Sequence, residues 1–363
     1  MKITKPTLLL DKSKCLNNIK IMAEKATKNN LLLRPHFKTH QSIEIGKWFS
    51  DFGINSITVA SVSMAEYFAQ HGWKDITIAF PFNKLEIDEI NELASSIELN
   101  LLILSVESIN FLKKNLKHKV GIFIKIDAGY HRTGILPENI DILDEILTGI
   151  LNFDLIEFKG FLTHSGHTYT AGSIDKITAI HNDCLHKMQK LKLHYFKTFP
   201  NLIVSIGDTP SCSLMDNFDG IDEIRPGNFV FYDLMQNQFG SCAIDQIALC
   251  VACPIVAKYK ERNKIIVYGG VVHFSKEYIL NEEGERLFGL IIELGNKGWS
   301  SPLEGMYVSS LSQEHGIIKA PDEHFEKFKV GDVIGILPVH ACLTANLMGS
   351  YLTFANEVID HMP

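Results

Sequence analysis

No apolar run in the sequence approaches the ~20 residues that a bilayer-spanning helix needs. The longest candidate, IALCVACPIVA, has the length of a buried strand. The opening stretch, MKITKPTLLLDKSK, lacks both an apolar region of signal-peptide length and a small-residue cleavage site. An excess of basic charge is also missing. The formal net charge is −7 with histidine neutral, which argues against a nucleic-acid or anionic-membrane partner. Cysteines number seven, scattered and odd in count, so a disulfide framework is not expected and a reducing cytoplasm is. There are no repeats, no low-complexity segments and no long charge runs. What remains is an ordinary globular composition, 46% hydrophobic and 21% charged. Its 363 residues suit one large domain and a smaller one.

The first two-thirds alternates between short apolar or β-branched runs and longer stretches with helical periodicity. Eight runs read as strands: LLLRPHF, SITVASV, DITIAFPF, LNLLILSV, KVGIFIKIDA, FKGFLTH, NLIVSIGD and EIRPGNFVFYD. Helical segments separate them, except that TPSCSLMDNFDG has room only for a stub of helix. The count of eight favours a closed parallel (β/α)8 TIM-like barrel over an open sheet, placed at residues 10–240. After about residue 240 the helical periodicity fades. IDQIALCVACPIVAKYK, NKIIVYGGVVHF, PLEGMYVSSLS and DVIGILPVHACL all read as strands. These predict a smaller all-β domain over 241–363, joined by residues 1–9.

In a (β/α) barrel the chemistry collects at the C-terminal ends of the strands. Strand one ends in RPHFKTHQ, where extended geometry would put His36, Lys38 and His40 on one face. Strand five runs into DAGYHRTG with Asp127, His131 and Arg132; strand six into THSGHTY with His164, His167 and Tyr169. Strand seven ends in SIGDTP, and the eighth holds RPGNFVFYD. Singly, each has a structural reading: Arg132 pairs Asp127, His164 is a hydrogen-bonded histidine, Gly-Asp-Thr-Pro is a turn. Their gathering at one rim is not explained that way. A lysine among cationic groups and partly desolvated becomes a nucleophile that forms a Schiff base with an aldehyde. Backbone N–H groups and a hydroxyl in GDTP and PGN suit a phosphate. An aldehyde that carries a phosphate is pyridoxal 5′-phosphate.

This order of motifs resembles the fold-type III pyridoxal-phosphate enzymes, whose best-known member is alanine racemase. RPHFKTHQS is closest to the lysine motif of the branch that holds the zinc-dependent D-serine dehydratases and D-threonine aldolases, and it makes Lys38 the Schiff-base residue. The resemblance implies that Arg132, in KIDAGYHRTG, contacts the cofactor ring oxygen, and that His164, in GFLTHSG, packs on the pyridine ring. It implies phosphate contacts from Thr209, Tyr169, Gly227 and Asn228, and makes Arg225 the candidate partner of the ring nitrogen.

LPVHACLTANLM places His340 and Cys342 two residues apart. On spacing alone Cys342 reads as a buried thiol. In the branch resembled, a His-x-Cys or His-x-Asp pair in the β domain binds a divalent metal beside the cofactor. A thiolate favours zinc, and two protein ligands leave coordination positions open for catalysis. The resemblance thus implies a pyridoxal-phosphate- and zinc-dependent lyase, with Zn2+ or another divalent metal, acting on D-β-hydroxy amino acids. The D-serine dehydratase-like reaction, β-elimination of water giving pyruvate and ammonia, is the first expectation. D-threonine aldolase-like cleavage is the alternative, followed by a metal-free racemase using Tyr268 or Tyr307 as second base and by a non-catalytic cofactor carrier. The resemblance also implies a homodimer. His315, Glu314 and the segment 268–277 are given no role.

Overall fold

The structure is a computed structural model that describes residues 2–151 and 153–363. It divides into two compact units. One holds residues 20–38 and 46–227; the other holds 1–19, 39–45 and 228–363.

The first unit is built on eight parallel strands: Leu32–Leu33, Ser56–Val59, Asp75–Pro81, Glu98–Ile103, Val120–Lys125, Ile156–Leu162, Ile203–Ile206 and Glu223–Ile224. From the second onward each pairs in parallel with the next, and the last pairs with the first through Leu32–Glu223 and Leu33–Ile224. A single parallel bridge between His36 and Thr58 joins the first strand to the second and closes the barrel. All eight expected runs supply a strand, but the eighth is far shorter than EIRPGNFVFYD suggested. Pro226 has no N–H to give the ladder. Beyond it the chain turns into a 3-10 turn, Asn228–Val230, and a short helix, Leu234–Gln238. Connecting helices such as Ile174–Tyr195 bury an apolar stripe (Ile177, Cys184, Leu185, Met188, Leu191). The seventh connection is the expected stub, Thr209–Leu214.

The barrel interior is not purely apolar. Arg34, which follows the first strand, donates to Asp75 (2.5 and 2.9 Å) and to Glu223 (2.6 Å). Ser56 and Asn100 also donate to Asp75 (2.6 and 3.2 Å). Buried charges persist only when paired and hydrogen-bonded, and this network satisfies that condition.

In the second unit six antiparallel strands form a closed ring: Leu249–Tyr259, Lys264–Tyr268, His315–Lys319, Tyr307–Leu311, Gly289–Ile292 and Val333–Pro338. Thr7–Leu10 extends this sheet by pairing antiparallel with Leu249–Ala252, and Tyr351–Thr353 pairs with it in turn. Two segments that read as strands change type midway. Lys264–Tyr268 gives way at Gly269–Gly270 to a helical turn, Val271–Phe274. Val333–Pro338 gives way to the helix Ala341–Met348. Among the described residues no helix is long and apolar enough to cross a membrane.

Candidate active site

The face expected from His36, Lys38 and His40 does not form, because the strand ends before it. After the His36 bridge the chain tightens into a 3-10 turn, Phe37–Thr39. Phe37 fixes that turn. It is fully buried, with its ring 5.1, 5.0 and 4.9 Å from those of Phe49, Phe68 and Trp73. The alternation this creates buries Phe37 and leaves Lys38 exposed. His40 instead belongs to the second unit, where it is fully buried and burial pulls its ring down to about 3, a neutral imidazole.

The desolvated amine of the barrel rim is Lys125, which the sequence reading passed over. It ends the fifth strand, VGIFIK, all six residues of which are buried. Burial, then the charges of Arg225 and Arg132, push it down to about 7. The signal available in the sequence was one lysine closing an otherwise apolar run.

His164 stands at the end of the sixth strand. Its Nδ1 is hydrogen-bonded to the Gly207 carbonyl. A carbonyl only accepts, so Nδ1 carries the proton. Burial holds the ring well below the ordinary imidazole range. The Gly207 carbonyl opposes that shift, and the charges of Lys125, Lys38 and Arg132 reinforce it. His164 is therefore neutral at pH 7, and Lys38, Lys125 and Arg132 all lie within electrostatic reach of it. Arg132 is exposed, with its guanidinium 4.9 Å from the Tyr130 ring. The Asp127 carboxylate accepts from the N–H groups of Gly129 and His131, each at 3.0 Å, which shapes the loop that presents Arg132.

Arg225 is buried and donates to Ser205 Oγ (2.7 Å) and the Thr163 carbonyl (2.6 Å). Burial draws it down to about 10 against the opposing charge of Glu223, so it stays cationic at pH 7. The rim of the barrel thus carries Lys38, Arg132 and Arg225 around a neutral His164, a setting for an anionic ligand.

The seventh strand delivers the turn Gly207–Thr209. A Cβ on Gly207 would come within 2.8 Å of the Arg225 carbonyl carbon, so only glycine lets these segments approach so closely. Asp208 caps the following helix by accepting from the Ser211 N–H at 2.8 Å. The Thr209 N–H donates to the Tyr169 hydroxyl at 3.2 Å. Thr209 Oγ1 is buried and has no hydrogen-bond partner among the described residues. Leaving a hydroxyl so costs about 1–3 kcal/mol, which a phosphate oxygen would offset. Cationic rim, glycine close approach and orphaned hydroxyl together fit pyridoxal 5′-phosphate. Gly227 is half-buried and leads into the Asn228 turn.

In the second unit, His340 and Cys342 meet at a strand-to-helix turn, with His340 as N-cap and Cys342 in the first helical turn. Each lies within electrostatic reach of the other. Burial alone would push the His340 ring down, but Cys342, Asp233 and Glu277 raise it to about 9. Burial likewise raises the Cys342 thiol, and His340 and Thr39 more than reverse that, leaving it below its ordinary value. The two side chains thus shift each other in opposite directions. Asp233, buried, accepts from the Ala341 N–H (2.9 Å) and Asn228 Nδ2 (2.6 Å), holding the turn between the two side chains. His340 Nδ1 is buried without a hydrogen-bond partner among the described residues. An imidazole and an acidified thiol at one turn are a zinc-type donor pair. Among the described residues no third His, Cys, Asp or Glu completes a metal-ligand group, so a bound ion would keep open positions.

The alanine racemase N-terminal domain family matches residues 10–234, and the putative serine dehydratase domain family matches residues 248–354. A D-serine dehydratase of Dictyostelium discoideum is 31% identical over 97% of this chain and 93% of its own length. A D-threo-3-hydroxyaspartate dehydratase of Delftia sp. (strain HT23) is 25% identical over 97% of this chain and 94% of its own. A solved cysteine-to-alanine mutant of D-threo-3-hydroxyaspartate dehydratase, in the metal-free form, superimposes with a TM-score of 0.90 at 23% identity, covering 99% of this chain and 98% of that one. Its fold is thus the fold seen here. With matched domains running from residue 10 to 354 and a relative above 30% identity along nearly its whole length, the chain belongs to the alanine racemase-like, fold-type III family, in the branch whose barrel is followed by a serine dehydratase domain.

Proposed function

We propose that the protein is a pyridoxal-phosphate- and zinc-dependent lyase that eliminates water from D-β-hydroxy amino acids, with D-serine as its first substrate. The carrying observation is the placement of His340 and Cys342 at one strand-to-helix turn, with His340 Nδ1 buried and unpartnered among the described residues. A carrier of the cofactor has no use for it, and a racemase needs a second base there rather than a metal ligand. The similar chains named D-serine dehydratase and D-threo-3-hydroxyaspartate dehydratase support the same reaction class.

The bound cofactor would supply an electron sink for negative charge at the substrate α-carbon. Lys38 would hold it and then accept the α-proton on Nζ. Thr209, Tyr169, Gly227 and Asn228 would receive the phosphate. Arg132 would face the ring oxygen, Arg225 the ring nitrogen, and His164 would pack on the ring. A neutral His164, its Nδ1–H committed to the Gly207 carbonyl, offers the ring a fixed apolar face rather than a competing proton donor. Arg225 stays protonated at the pH of the reaction and lends no proton. A metal on His340 and Cys342 would supply Lewis acidity to the departing β-hydroxyl. The enamine released hydrolyses in water to a 2-oxo acid and ammonia.

The test is an assay of purified protein with D-serine, D-threo-3-hydroxyaspartate and D-threonine, with and without chelator. Pyruvate and ammonia from D-serine, lost on chelation and restored by zinc, support the reading. Glycine and an aldehyde from D-threonine, formed faster than any 2-oxo acid, would make the protein an aldolase. The homodimer expected for the family is checked on the same preparation by light scattering.

A further inference from the structure

The Cys342 sulfur has two further side chains around it besides His340. Thr39 Oγ1 lies 3.5 Å away and Asn228 Nδ2 3.6 Å away, all within the second unit. Asn228 Nδ2 shares its two N–H groups between this sulfur and Asp233, the latter at 2.6 Å. Thr39 is different. It is buried, with 1% of its surface exposed, and in the described structure its hydroxyl bonds to this sulfur. It is also the residue that follows Lys38 in the chain.

The chemistry of the contact depends on the state of the sulfur. In the thiol, the Cys342 S–H donates to Thr39 Oγ1. Metal binding requires the thiolate, whose proton is released. A thiolate only accepts, so the contact then survives if the Thr39 hydroxyl rotates and donates. Hydroxyl rotors do this at little cost. Hydrogen bonds to a ligating atom orient it and tune how much charge it gives the metal.

Resting on the metal reading above, we propose that Thr39 is a positioning residue for the metal thiolate: its hydroxyl donates to Cys342 Sγ in the metal-bound protein and so sets metal affinity. The side chain's methyl and backbone pack the same way in valine, which lacks the donor. Serine keeps the donor and lacks the methyl. The two substitutions therefore separate hydrogen bonding from packing.

The experiment uses the full-length protein loaded with pyridoxal 5′-phosphate. Zinc dissociation constants are measured by competition with a chromophoric chelator for wild type, Thr39→Val and Thr39→Ser. The cofactor absorption band and the far-ultraviolet circular dichroism are recorded to confirm a loaded, folded protein. Loss of one outer hydrogen bond to a ligand costs roughly 10- to 100-fold in metal affinity. The expected result is a loss of that size in Thr39→Val and recovery toward wild type in Thr39→Ser, with the cofactor band unchanged in both. Equal constants for wild type and Thr39→Val overturn the inference while leaving the metal reading intact. An equal loss in valine and serine also overturns it, because packing would then be the cause. Wild-type protein that takes up no zinc overturns the metal reading itself, and this inference with it.

Discussion

Arg34 Nε donates to the Glu223 carboxylate across 2.6 Å, and neither residue is more than 5% exposed. The other Glu223 oxygen accepts from Ser205 Oγ at 2.5 Å, and that same hydroxyl accepts from Arg225 Nε at 2.7 Å. The chain of bonds runs from the first barrel strand to the arginine at the rim. Removing one partner of a buried ion pair leaves the other uncompensated, at a cost of about 3–5 kcal/mol. Arg34→Met is therefore expected to lose that much stability in urea unfolding. Adding Glu223→Gln should return part of the loss, because one of the two carboxylates left unpaired, the other being Asp75, is then neutral. Strict additivity of the two substitutions would mean that the pair is not energetically coupled.

Lys125 gives a pH dependence with a definite sign. Its folded value, about 7, lies below its ordinary 10.5. Between those two values the unfolded chain binds a proton that the folded chain does not, so stability rises with pH across the window. The slope has an upper limit of about 1.4 kcal/mol per pH unit for one proton. The contribution is fully present above 10.5 and is lost as pH falls through 7. Lys125→Met should lack this slope. Urea unfolding of cofactor-free protein at several values between pH 7 and 10 checks it. The wild type should gain on the variant as pH rises, and a constant difference would give Lys125 an ordinary folded value.

Much of this was readable in the chain. Eight apolar runs mark eight strands because each barrel strand is buried on both faces and needs a continuous apolar run. The rim motifs were readable because polar groups directly after such runs have few structural reasons to be there. Three things were hidden. RPHFKTHQ alternates as a strand does, but Phe37 finds an aromatic cage of Phe49, Phe68 and Trp73, all distant in sequence, and the 3-10 turn follows from that. The residues 39–45 belong to the second unit, where the Asp360 carboxylate accepts from Ser42, Ile43 and Glu44. No local pattern reports a partner more than 300 residues away. The LPVHACL run continues as apolar through a change from strand to helix, and the Asp233 contact with the Ala341 N–H marks the switch.

Thr209 offers a test of the phosphate site in which stability and binding move in opposite directions. Its hydroxyl is buried and has no partner among the described residues. In cofactor-free protein Thr209→Val should therefore be no less stable than wild type, because it removes an unsatisfied polar group. In loaded protein it should lose one charged hydrogen bond, about 1.5–3 kcal/mol, or roughly 10- to 150-fold in cofactor affinity. Absorbance titration with pyridoxal 5′-phosphate and thermal unfolding of the cofactor-free protein give the two readouts. A destabilised cofactor-free variant with unchanged affinity would assign Thr209 to the fold instead.

Lys38 and Cys342 should fail separately, since the reading gives them different jobs. Lys38→Ala should lose the visible absorption of the lysine-held cofactor and, with it, the proton transfer. General acid–base groups contribute ~10²–10⁴ in rate, so a loss at or beyond that range is expected. Its zinc content should remain at about one per chain, as one two-ligand site with open positions requires. Cys342→Ala should do the reverse, keeping the cofactor band while losing zinc and water elimination. Chelated wild type should behave like Cys342→Ala. Cys342→Asp is the sharper variant, because it keeps a negative ligand but exchanges soft sulfur for hard oxygen. Metal preference should then move from zinc toward manganese-like ions, measured by metal content after equilibration with both. If chelated protein still releases pyruvate from D-serine at full rate, the metal has no part in the elimination. If Lys38→Ala keeps the native absorption band, the cofactor is held elsewhere, and Lys125, the buried amine at the same rim, becomes the residue to substitute next.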